Sequence, residues 1–183
     1  MIGVGRDQLT GDGRGALILG DGVPFTPPFA GGGQERGLRA GTENLPGIAG
    51  FGAAADIAAG ESYGSALRDR FEAELKETAP NAIIFGAESP RLSNTSCFAL
   101  PGIGAETALM ALDLDGVMLS SGSACSSGKV KRSHVLAAMG VNDDVAGCAL
   151  RASFGWSSTE ADVEAARVSL KNLLARIGSR AAA

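Results

Sequence analysis

The 183-residue sequence is short of histidine, lysine and aromatic side chains, and it has no long apolar run. One histidine, His134, and three widely spaced cysteines, Cys97, Cys125 and Cys148, fit none of the usual spacings of a zinc site. The odd number of cysteines is a poor disulfide framework and suits a reducing, cytoplasmic compartment. No apolar stretch approaches the roughly 18 residues of a membrane span, and the opening Met-Ile-Gly-Val-Gly-Arg-Asp lacks the basic and apolar regions of a signal peptide. A formal charge of −4 and a single short basic cluster (Lys129, Lys131, Arg132) argue against a nucleic-acid surface. What is present is a 45% hydrophobic, 20% charged chain, too apolar for disorder and typical of an α/β or α+β protein. Its length suggests one domain, or a domain with a piece of another.

Glycine and proline punctuate the first forty-odd residues. The run Ala16 to Leu19 lies between glycines and reads as a buried strand; Pro24, Pro27 and Pro28 then keep the chain extended. This looks like the end of a sheet whose other strands are elsewhere. From Pro46 the texture changes: Ile48 to Ala59 is small and apolar and predicts a packed helix. Leu67, Phe71 and Leu75, four apart among charges, predict an amphipathic one. Strands are expected at Ala82 to Phe85, Thr95 to Leu100, Val117 to Ser120 and Ala149 to Phe154. Further helices are expected through Ala105 to Leu112, after a Ser133 cap with Gly140 as the stop, and from Thr159 along Val163, Ala166, Leu170 and Leu173. The order implies an α+β domain of about four strands with helices on one face.

Three motifs carry chemistry, and each leaves two readings open. The run Ser-Ser-Gly-Ser-Ala-Cys-Ser-Ser-Gly (120–128) is too small to build a core, and centres on Cys125, with Lys129 and Lys131 to favour the thiolate. It is either a loop delivering a nucleophile or a serine-rich linker with an incidental thiol. The segment Gly-Gly-Gly-Gln-Glu-Arg-Gly-Leu-Arg-Ala-Gly-Thr-Glu-Asn (31–44) combines backbone N–H groups, two arginines and the hydroxyl of Thr42, which suits a phosphate or carboxylate. It is neither a Walker loop nor a dinucleotide fingerprint, and it serves equally as a charged turn at a domain junction. In Leu-Arg-Ala-Ser-Phe-Gly (150–155), Arg151 is expensive to bury without an anion, so it is a carboxylate clamp or sits on the solvent face of an edge strand. His134 reads as a residue packed at a helix start, and Cys97 and Cys148 as ordinary small core residues.

In this order, the three motifs and Ser-His-Val-Leu-Ala-Ala-Met-Gly (133–140) resemble the cysteine desulfurases of the NifS and IscS type, within the class V aminotransferase family. The resemblance runs from about Gly13 onward and implies the C-terminal part of such a protein. It implies pyridoxal 5′-phosphate as cofactor, L-cysteine as substrate, a protein persulfide as product, and a sulfur-acceptor protein. By position, Cys125 matches the nucleophile and Arg151 the arginine that binds the substrate carboxylate. Thr42 matches the residue that reaches the cofactor phosphate of the neighbouring subunit, so a homodimer is implied.

The departures are specific. The family's Schiff-base lysine precedes a Gly-Pro-Lys-Gly-Val-Gly-Ala-Leu turn; here the turn reads Leu-Thr-Gly-Asp-Gly-Arg-Gly-Ala-Leu (9–17) and the lysine's place falls at about Asp7. None of Lys76, Lys129, Lys131 and Lys171 matches it. The expectation is therefore a tail of the cofactor-binding large domain over residues 1–53 and a small α+β domain over 54–183. Its sulfur transfer would need a missing N-terminal half. The alternative is a non-catalytic truncated homologue acting as a dimerisation or partner-binding module.

Overall fold

The computed structural model describes residues 2–3, 16–60, 64–121 and 133–181. The chain forms two compact units, Met1–Glu61 and Ser62–Ala183.

In the first unit, β1 (Ile2–Gly3) pairs antiparallel with β2 (Leu17–Ile18), Ile2 opposite Ile18 and Gly3 opposite Leu17. The β2 strand lies within the run expected from sequence, but Leu17 and Ile18 are about half exposed where burial was expected. A two-residue ribbon has too little partner surface to cover its own side chains. Helix α1 (Leu45–Gly60) follows Asn44, whose Oδ1 accepts the Gly47 N–H at 3.0 Å while its carbonyl accepts the Ile48 N–H at 2.9 Å. That side-chain cap and a proline in the first turn start the helix despite its glycines.

In the second unit, α2 (Ser65–Thr78) precedes β3 (Ile83–Ile84) and β4 (Thr95–Ala99). Next come α3 (Ala105–Leu114), α4 (His134–Ala138) and α5 (Asp143–Ala146). The unit closes with β5 (Ala149–Ser153) and the long α6 (Glu160–Ala181). The sheet runs β3-β4-β5, antiparallel throughout. The fourth expected strand shrinks to one antiparallel bridge, Ser120 to Arg151.

The β4–β5 register sorts side chains by face. Phe98 stands opposite Leu150 and Ser96 opposite Ala152, all buried. On that side α2 and α6 bring Phe71, Leu75, Val163 and Leu170 into one core. Phe71 meets the rings of Phe98 and Phe154 edge-on at 5.4 and 5.8 Å. Each such side chain contributes about 1.5–3 kcal/mol on burial, which favours this register over a one-residue slip. A smaller cluster on the other side, Phe85, Ala99, Leu136, Cys148 and Ala149, is where α4 docks through Leu136. Val135 and Met139 are half exposed, because so short a helix presents only Leu136 to the sheet.

The connection between β3 and β4 is tied to α2 by charge. Arg91 donates to both carboxylate oxygens of Glu72, at 2.6 and 3.0 Å, and Arg68 donates to the Leu92 carbonyl at 2.9 Å. Burial is the largest single influence on Glu72 and opposes its charge. Hydrogen bonding to Arg91 and Ser96 and the Arg91 and Arg68 charges together outweigh it and hold the carboxyl below its ordinary 4.5. Among the described residues no helix is long and apolar enough to cross a membrane.

A carboxyl whose folded pKa lies below its unfolded value adds stability above the unfolded value and loses it as pH falls through the folded one. Glu72→Gln is therefore expected to lower unfolding free energy at pH 7 by about 1–2 kcal/mol. In urea titrations that deficit should shrink steadily below pH 4.5. A deficit independent of pH would exclude an ionic role for Glu72.

Candidate functional site

The open face of the sheet follows from the same register. Residues alternating with the buried Ser96, Phe98 and Ala152 point the other way, so Cys97 stands directly opposite Arg151, with Thr95 opposite Ser153. Arg151 is exposed, and no carboxylate pairs with its guanidinium among the described residues. It is thus exposed on β5, the last strand in the sheet order, whose outer side carries the Ser120 bridge, and the clamp and solvent-face readings both stand. Its backbone pairs with Ser120, Arg151 N–H to the Ser120 carbonyl at 2.7 Å and Ser120 N–H to the Arg151 carbonyl at 3.1 Å. Together with Arg91, Ser133, Leu136 and Met139, Cys97 and Arg151 wall a cleft of about 410 Å³. A free guanidinium at such a cleft is suited to a carboxylate, which it can grip through two parallel bonds.

The three cysteines separate. Cys125 lies outside the described residues. Its segment departs from Ser120, paired with Arg151, and returns at Ser133, which lines the cleft. Cys148 is buried, as expected of a core residue. Cys97 is half-buried: it packs against the smaller core cluster, in keeping with the core reading, and it also lines the cleft. Burial pushes the Cys97 thiol above its ordinary value, and the Arg151 cation works against that rise. His134 is exposed, one residue after Ser133, whose Oγ accepts the Leu136 N–H at 3.3 Å and caps α4.

The anion-suited segment forms a closed loop in the first unit. A Cβ on Gly31 would stand 2.6 Å from that of Ala40, so glycine is needed where the loop's two ends meet. Between them Gln34–Gly37 makes a tight turn in which Glu35 and Arg36 both take left-handed backbone (φ 51° and 59°). Two such non-glycine residues in succession are costly, on the order of 1–3 kcal/mol each. The chain leaves the loop through Gly41 (φ 95°), above which there is open space, and reaches Thr42 two residues before the Asn44 cap. Thr42 is exposed. Among the described residues its hydroxyl and the N–H groups of Gly41, Thr42 and Glu43 have no intramolecular partner. A hydroxyl with successive free N–H groups is a donor set for an anion.

The donor-rich loop of the first unit and the Arg151 cleft of the second are each suited to an anion. A family model described as aminotransferase class V matches residues 15–166, and the chain belongs to that family. Its relatives include a cysteine desulfurase of Cereibacter sphaeroides, 46% identical over 154 residues, which cover 83% of this chain and 40% of that protein. Another, from Gluconacetobacter diazotrophicus, is 42% identical over 170 residues, 90% of this chain and 42% of that one. A NifS-like protein from Rickettsia africae has the same fold over 81% of this chain and 40% of its own, with TM-score 0.69 and 34% identity. The chain thus spans about 40% of the length of the curated relatives it matches.

The family implies pyridoxal 5′-phosphate. The donor set at Gly41 to Glu43 fits its phosphate. No amine described here fits the other end: Lys76 donates to the Ala82 carbonyl at 2.9 Å from α2, and Lys171 lies on α6.

Because Arg151 holds the Cys97 thiol pKa down, its removal should raise it further. Alkylation of Cys97, followed by peptide mass spectrometry across pH 7–10, is expected to run about two- to fivefold slower at pH 8 in Arg151→Ala. An unchanged profile would show that the guanidinium does not act on the thiol.

Proposed function

We propose that the chain supplies the sulfur-accepting and substrate-gripping part of a cysteine desulfurase. In this reading Arg151 binds the carboxylate of L-cysteine, and the Cys125 thiolate takes the substrate's sulfur. Cys125–SH and L-cysteine then give Cys125–S–SH and L-alanine, and the persulfide passes its outer sulfur to an acceptor protein. When bound, pyridoxal phosphate supplies the electron sink that weakens the substrate's carbon–sulfur bond. Thr42 and the free N–H groups beside it hold the cofactor phosphate of a neighbouring subunit, which makes the working unit a homodimer. The amine that anchors the cofactor comes from outside these 183 residues. A reducing cytoplasm would keep the three cysteines free.

The observation that carries this reading is the placement of Arg151. Among the described residues it has no carboxylate partner; it stands at a cleft walled in part by Ser133, and its backbone pairs with Ser120, so both flanks of the Cys125 segment lie near it. A chain of five residues from Ser120 reaches at most about 17 Å, long enough to allow the thiol to meet what Arg151 grips.

The test is sulfide release from L-cysteine by the chain with pyridoxal phosphate and a thiol reductant, alone and with the lysine-bearing part of a cysteine desulfurase relative. Release is expected only in the combined sample. It should fall to background in Cys125→Ala, while Arg151→Ala raises KM on the order of tenfold or more. Turnover that survives Cys125→Ala would overturn the assignment.

A further inference from the structure

The loop that ends in Thr42 contains a contact whose consequence reaches beyond the loop. Arg39 Nη1 donates to the Gly41 carbonyl at 2.9 Å and to the Thr42 carbonyl at 3.2 Å. Among the described residues nothing else bonds to either oxygen. In a trans peptide the carbonyl and the N–H point in opposite directions, and no described peptide is cis. Drawing the Gly41 carbonyl toward Arg39 therefore aims the Thr42 N–H away from it. Drawing in the Thr42 carbonyl does the same for the Glu43 N–H. Without that tie a left-handed glycine with open space around it has the widest choice of conformations of any residue.

We propose that Arg39 is a positioning residue for an anion site. Its guanidinium fixes the Gly41–Thr42 turn so that the Thr42 and Glu43 N–H groups face outward with the Thr42 hydroxyl, toward a phosphate monoester or inorganic phosphate. The role rests on the reading of Thr42 as a phosphate ligand given above. It differs from simple charge attraction, because the guanidinium sits on the carbonyl side of the turn, opposite the donors. Arg36 provides the comparison: it is an equal charge in the same loop, three residues earlier, with no bond to the turn.

The test uses the 183-residue chain, ¹⁵N-labelled and titrated with inorganic phosphate, following the Gly41, Thr42 and Glu43 amides. Backbone couplings at the same residues are measured before phosphate is added. Wild type is expected to show saturable shifts at Thr42 and Glu43. Arg39→Ala should weaken phosphate binding about fivefold or more and move the phosphate-free couplings at 41–43, with the α1 amides unchanged. Arg36→Ala should change affinity less than about twofold, and Arg39→Lys, which keeps a donor, should recover part of the loss. Equal losses in Arg36→Ala and Arg39→Ala would overturn the proposal in favour of bare charge. So would an Arg39→Ala variant with unaltered couplings and affinity, or one whose α1 amides move as much as the turn while Arg39→Lys recovers nothing. Wild type without phosphate-dependent shifts, or Thr42→Ala binding as wild type does, would instead overturn the phosphate reading of Thr42, and the positioning role with it.

Discussion

The antiparallel pairing of β4 with β5 is the constraint on which the second unit depends. Five residue pairs, from Thr95 with Ser153 to Ala99 with Ala149, fix which side chains go to each face. Phe98 and Leu150 are drawn to the helical side by the apolar surface of α2 and α6. Cys97 and Arg151 then have no choice but to share the other side. A one-residue slip would bury a guanidinium among phenylalanines, at a cost of several kcal/mol. The site is thus a by-product of core packing: hydrophobic burial on one face delivers a cation and a thiol to the other.

Backbone hydrogen bonding extends this control past the strand. The bridge between Ser120 and Arg151 ties the chain that leads into the Cys125 segment to β5. Ser133, at the other end, is held by its capping bond to α4, and α4 by Leu136 in the small cluster. The first unit works differently. Its loop has almost no buried apolar surface, and its conformation comes from close glycine approach, two left-handed residues and the Arg39 bonds. Local sterics and charge there do what a core does in the second unit.

The chain belongs to the class V aminotransferase family. In the proposed function the cleft offers a cation to a carboxylate, and the loop offers N–H groups to a phosphate. Among the described residues neither offers the cofactor an amine, and Lys76 is engaged with a backbone carbonyl.

Much of this was legible in the residues. Leu67, Phe71 and Leu75, or Val163, Ala166 and Leu170, define a helix face because a 3.6-residue period is a property of the local chain. Ser133 and Asn142 carry their caps in their own side chains, although the short α5 that Asn142 starts went unread. The resemblance to desulfurases rested on four local motifs and needed no fold. What the residues did not contain was pairing. The Val117 to Ser120 run has strand character, yet only Ser120 finds a partner, since ladder bonds depend on where another strand lies. Cys97 read as core and packs against the smaller cluster, but that it also lines a cleft opposite Arg151 depended on which face α2 and α6 cover. The brace from Arg39 to Gly41 and Thr42 was equally hidden, because a flexible side chain close in sequence has many places to go. The sequence by itself determined the helices, the caps and the family. Only the tertiary structure decided that Cys97 and Arg151 meet, because their separation along the chain is closed by burial of the opposite face.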